Sequence, residues 1–139
     1  MIHETIKKRL KIEINKAYYI AKRYNVQSTF AFLYHNGELP IDKLGKFVRV
    51  SDHLLKIDEH HYFINFTFTN QEDAFKAAQN LLLYLDRYFN HQDSCIALDT
   101  FDITKSPTIV LNRLVQILTE TKKNSYTRIE DENILNELF

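Results

Sequence analysis

Few residues of this chain are there to staple it, break it or bias its charge. It has one cysteine, Cys95, so no internal disulfide can form and a reducing compartment suits it. Two glycines and two prolines leave no Pro/Gly/Ser linker to divide 139 residues, so one domain spanning 1–139 is expected. Eighteen basic residues cancel eighteen acidic ones, so no global field exists to recruit nucleic acid or an acidic membrane surface. No apolar run approaches the length of a bilayer span. Charge falls within the first eight residues (Glu4, Lys7, Lys8), which argues against a secretory signal and sets the expected location as cytoplasmic. What remains is 45% hydrophobic and 26% charged, the profile of an ordinary globular core, in which Cys95 reads as a small buried residue.

The most informative stretch runs from Arg49 to Phe68. Leu55 and Ile57 share one side of an extended segment. Tyr62, Ile64, Phe66 and Phe68 then alternate with Phe63, Asn65 and Thr67, the period of a half-buried strand. The two segments read as an antiparallel hairpin whose tip, Asp58-Glu59-His60-His61, contains no glycine.

Around that hairpin the periodicity predicts an amphipathic helix over 1–25, carrying Ile2, Ile6, Leu10, Ile14, Ala17, Tyr18 and Ala21 inward, and a buried strand within Val26–Tyr34. A short helix should follow Pro40. Thr69 and Glu72 match a capping box for a helix ending near Phe89. A strand over Cys95–Phe101, a helix opened by Ser106-Pro107 and an edge strand within Tyr126–Ile129 complete the pattern, followed by a tail over 130–139. The order is α+β and ferredoxin-like, an antiparallel-rich sheet with an extra N-terminal helix. The strand at Ser28–Leu33 is expected at its centre, with the helices at Asn70–Phe89 and Pro107–Thr121 together on one face.

The hairpin also carries a resemblance. Arg49-Val50-Ser51-Asp52 fits R-x-x-D, five residues follow, and Asp58-Glu59-His60-His61-Tyr62 stands where a G-G-D-E-F signature would be. With the helix into first strand (Glu13–Leu33) and the helix after the hairpin (Glu72–Leu82), the chain resembles the GGDEF family of diguanylate cyclases and their degenerate relatives. The resemblance implies a nucleotidyl cyclase-like fold and a cytoplasmic, bacterial-type cyclic di-GMP signalling context.

The departures from that pattern argue against catalysis. Asp58 and Glu59 replace glycines that let backbone approach a nucleotide, adding bulk and negative charge. Tyr34 and His60-His61 replace the carboxylates that would hold magnesium. Only Asn36 to Val48 stands for the family's longer nucleotide-contacting segment. The expectation is a non-catalytic regulatory domain with no cofactor.

Three constellations are weighed. Arg49 and Asp52 are candidates for contacting cyclic di-GMP, against the plainer reading of Asp52 as a junction cap with Arg49 as its solvated neighbour. His35, His60 and His61 are candidate transition-metal ligands, and with Asp58 would supply the rival reading, a metal-dependent phosphoryl-transfer or hydrolytic enzyme. Tyr18, Tyr19, Ile20 and Tyr24, and the apolar tail Ile134, Leu135, Leu138 and Phe139, are candidate surfaces for a homodimer or protein partner, against core packing.

Overall fold

The computed structural model describes residues 2–124 and 126–137. The elements are α1 (Glu4–Tyr24), β1 (Thr29–His35), α2 (Ile41–Leu44), β2 (His53–Lys56), β3 (His61–Phe66), α3 (Gln71–Phe89), β4 (Ser94–Thr100), α4 (Pro107–Lys123), β5 (Ile129–Glu130) and α5 (Asn133–Glu137). The sheet runs β2-β3-β1-β4-β5. β1 is central and antiparallel to both β3 and β4, and β2 and β3 form the expected hairpin, with Leu55 opposite Phe63. The edge strand pairs parallel to β4, at Ile129 and Glu130.

Both faces of the middle strands are apolar, so each requires its own helical layer. Phe30, Phe32, Phe63 and Ala97 face α1 and α4, which bring Leu10, Ile14, Leu114 and Ile117. Ala31, Leu33, Ile64 and Leu98 face α2 and α3, which bring Leu44, Leu81 and Leu85. This corrects two expectations. α3 and α4 lie on opposite faces, and β3 is buried on both sides rather than one: Phe63 and Asn65 are as enclosed as Tyr62 and Ile64. The alternation seen in the sequence is one of polarity, at Asn65 and Thr67, and within the strand it is not one of exposure. Phe68 is the other departure, since it lies beyond the strand, 62% exposed and at φ 55, a conformation that bulky residues rarely adopt.

The helix ends follow local chemistry. Asn25 and Asn90 close α1 and α3 in the left-handed conformation that asparagine tolerates. The Ser106 hydroxyl accepts from Ile109 N–H ahead of Pro107, as the sequence predicts. The capping box does not form. Asn70 caps α3 by accepting from Asp73 N–H, and Thr69 instead donates its hydroxyl to the Thr67 carbonyl.

Candidate functional site

The β2–β3 hairpin presents its tip at the end of the sheet where β1 also finishes. Asp58 shapes that tip: its carboxylate accepts from His60 N–H at 2.9 Å and from the His61 ring Nδ1 at 2.8 Å, closing an Asx-type turn. Burial pushes this carboxyl up, but the two donors outweigh it and hold Asp58 below its ordinary value. Neither Asp58 nor Glu59 has a positive φ, so this turn has no need of glycine.

His61 is bonded at both ring nitrogens. A carboxylate only accepts, so Nδ1 carries the proton toward Asp58, and Nε2 receives the ammonium of Lys122 at 3.0 Å. Lys122 also stands 4.2 Å from the centroid of the Tyr34 ring, a cation–π contact. The result is a mutually satisfied cluster of Asp58, His61, Lys122 and Tyr34, the first three of which form the polar side of a mostly apolar pocket shared with Phe32, Ile57 and Leu118. Lys122 escaped the sequence reading, because it reaches His61 from α4 across 61 residues and has no local motif to announce it.

The other two histidines do not join His61. Tyr34 is the β1 partner of His61, and alternation turns the next residue, His35, to the opposite face of the sheet. There His35 is 1% exposed, with Nδ1 2.7 Å from Ser94 Oγ and its ring 4.5 Å from that of Phe89. Burial lowers its pKa, and its Nε2 finds no partner among the described residues. His60 is tied by Nδ1 to the His35 carbonyl at 3.1 Å. The proposed His35, His60 and His61 metal set therefore does not assemble, and no group of three metal-ligating side chains converges among the described residues.

Arg49 and Asp52 are brought together. They close a turn in which Asp52 N–H donates to the Arg49 carbonyl at 3.0 Å and the carboxylate accepts from Arg49 N–H at 3.0 Å. The guanidinium binds the same carboxylate at 2.8 Å and continues to the Thr67 carbonyl at 2.8 Å and the Thr69 hydroxyl at 2.6 Å. Arg49 is thus a strut from the turn before β2 to the segment after β3, not a solvated neighbour. The Asp52 side chain is 1% exposed, while that of Arg49 is 54% exposed.

The aromatic surface of α1 divides. Tyr18 is core, its hydroxyl donating to the Lys105 carbonyl at 2.8 Å, and burial pushes its pKa up to about 12. Tyr19 and Tyr24 remain more than 60% exposed. In the tail, Leu135 is buried and Ile134 packs on the core, while Leu138 and Phe139 lie outside the described residues.

No family model and no curated protein matches the sequence. Solved structures do match. Over 90% of the chain it superposes on diguanylate cyclase SiaD of Pseudomonas aeruginosa, solved with its activator SiaC, at a TM-score of 0.72 and 9% identity. Over 91% it superposes on the GGDEF domain of DgcB from Caulobacter crescentus, solved with c-di-GMP, at 0.71 and 12% identity, and over 90% on the active GGEEF domain of a Vibrio cholerae diguanylate cyclase at 0.72 and 14% identity. The fold is GGDEF-like. The chain spans 57% of the SiaD chain but 87% and 95% of the other two domains, so it corresponds to about one such domain. The likeness is one of fold, and function must be argued from the site. Among the described residues no helix is long and apolar enough to cross a membrane.

Proposed function

We propose that this GGDEF-like domain is a non-catalytic signalling module that works through contacts rather than phosphoryl transfer. The observation that carries this reading is the filled end of the sheet, where Asp58, His61, Lys122 and Tyr34 satisfy one another. In the register of the sequence resemblance, Asp58 and Glu59 stand for the glycines of the family's turn, and Tyr34, His60 and His61 for its metal-binding carboxylates.

Magnesium does not fit them. It asks for hard oxygen ligands in near-octahedral array. Here the space holds a phenol ring, an imidazole and an ammonium, and the carboxylate of Asp58 is already shared between His60 and His61. Phosphoryl transfer depends on positioning and charge neutralisation, and neither is on offer. The metal-dependent hydrolase reading loses its support with the dispersal of His35, His60 and His61.

Arg49 and Asp52 enter this reading as a structural strut. Asp52 is enclosed and committed to Arg49, so it cannot also bond the edge of a guanine, and any cyclic di-GMP contact would rest on the exposed half of the Arg49 guanidinium alone. A protein partner or second copy meeting the exposed Tyr19 and Tyr24 of α1 is the better-supported mode of action. The test is incubation of the purified protein with GTP and magnesium or manganese, with chromatography of the products. No cyclic di-GMP is expected. Product formation that survives repurification would overturn the reading.

A further inference from the structure

We propose that the outward face of α1 docks an acidic amphipathic helix of a partner protein, an inference that rests on the contact-based reading above and names the partner's chemistry. Thr5, Arg9, Ile12, Lys16, Tyr19 and Arg23 follow one another at alternating steps of four and three, and all six are exposed. Such steps average 3.5 residues, the spacing that keeps one seam of a helix turned toward a second helix along its length. The seam lies away from Leu10, Ile14, Ala17 and Ala21, the stripe by which α1 packs onto the sheet and α4. It extends for about 28 Å.

The two rows of the seam differ in chemistry. One carries Thr5, Ile12 and Tyr19, with Ile12 53% and Tyr19 64% exposed. The other carries Arg9, Lys16 and Arg23 at the same interval. A solvated helix face ordinarily interleaves acids with bases three or four residues apart. This seam holds no carboxylate, although the chain as a whole is neutral. Its charge is only partly met from the side: Lys16 Nζ stands 3.5 Å from Glu13 Oε1, and the other oxygen of Glu13 lies 3.2 Å from His53 Nδ1. Arg23 turns to aromatic neighbours, donating to the Tyr19 hydroxyl at 3.4 Å and lying over the Tyr24 ring.

These rows select the occupant. A second copy would set Arg9, Lys16 and Arg23 against their own counterparts or, reversed, against Ile12 and Tyr19, and neither arrangement supplies a carboxylate. An anionic membrane or a nucleic acid duplex would answer the charge but makes no use of the seven-residue alternation with Ile12 and Tyr19. A helix bearing carboxylates on one row and leucine-like residues on the other meets both rows at once, the groove-free counterpart of helix recognition by spaced apolar anchors. The exposed aromatic surface of α1 thereby acquires a defined mate.

The test titrates the full chain into fluorescein-labelled three-heptad peptides and reads their anisotropy. The acidic probes carry glutamate on one row and leucine on the other, in both orders, and in the control probes lysine replaces glutamate. The acidic probe of matching order should bind with a Kd on the order of 10 μM, and its lysine control about a hundredfold more weakly. Raising salt from about 50 to about 500 mM should weaken the acidic probe roughly tenfold. A triple variant, Arg9→Glu with Lys16→Glu and Arg23→Glu, changes only exposed positions and should exchange the preference, whereas Ile12→Ser with Tyr19→Ser should lose both probes. Equal binding of the two charge types, binding of neither, or an unchanged preference in the folded triple variant would overturn the proposal. So would capture of phosphatidylserine vesicles or duplex DNA by a protein that ignores the acidic probes, or a dimer in sedimentation velocity that the Ile12 and Tyr19 changes abolish. No readout here involves GTP, so a failed titration leaves the non-catalytic reading standing, while cyclic di-GMP formation overturns that reading and leaves the titration as measured.

Discussion

Lys122 Nζ lies 3.0 Å from His61 Nε2, joining the fourth helix to the first residue of the third strand. With Asp58 on the other ring nitrogen, the imidazole is bonded on both sides, and the lysine charge sits where a cation would otherwise be drawn. Millimolar magnesium or manganese should therefore leave the thermal unfolding midpoint unchanged. Because Lys122 is exposed, Lys122→Met should cost no more than about 1 kcal/mol by urea titration, the scale of an exposed cation–π contact plus a surface hydrogen bond. A metal-dependent rise in midpoint would show that the lysine is displaceable and that the site still accepts ions.

Arg49 and Asp52 should prove coupled in stability. Asp52 is enclosed and accepts both the Arg49 amide and its guanidinium, so Asp52→Ala takes the acceptor from both donors, and Arg49→Ala leaves the enclosed carboxylate with the main-chain N–H alone. Each single change should cost about 1 to 3 kcal/mol. The double variant should cost less than their sum, since the second change removes a group that has already lost its partner. Additive costs in denaturant titrations would show that the two side chains act independently and that the strut is not real.

The start of α3 offers a sharper comparison. Thr69 to Asp73 contains two overlapping capping signals, Thr69 with Glu72 and Asn70 with Asp73. Asn70 wins because the Thr69 hydroxyl is already occupied by the Arg49 guanidinium and the Thr67 carbonyl. Asn70→Ala should therefore cost about 1 kcal/mol. Glu72→Ala, which loses only an exposed 3.7 Å pair with Lys76, should stay within about 0.5 kcal/mol. If Glu72→Ala proved the costlier of the two, the capping box would be restored.

That pair of caps marks where sequence reading stops. The hairpin was legible because Tyr62 to Phe66 and Leu54 to Lys56 have the apolar content and spacing of paired strands, and the ends of α1 and α4 because asparagine and Ser-Pro act locally. The placement of α3 and α4 on opposite faces was encoded in Phe30-Ala31-Phe32-Leu33, a run apolar on both sides, which calls for two helical layers. Lys122 with His61 and Arg49 with Thr69 are contacts between distant segments. Charge and polarity mark such residues as interesting, but only the register of the sheet decides which of them meet.

His35 sets the expected response to pH. In the unfolded chain its imidazole titrates near 6.5, whereas in the folded protein burial disfavours the charged ring and lowers its pKa, with Asp93 opposing only in part. Between those two values the unfolded state binds a proton that the folded state does not, so acid favours unfolding. Stability should be fully present above pH 6.5 and decline as pH falls through it, flattening once the folded ring itself protonates. Asp58, whose pKa is lowered from 3.8, contributes a loss of the same sign only in the carboxylate range, well below the histidine window. Urea titrations stepped from neutral pH down to about pH 5 should show the decline, and His35→Leu should flatten it, because the leucine packs against Phe89 without a proton to exchange. An unchanged slope in that variant would assign the acid sensitivity to another histidine.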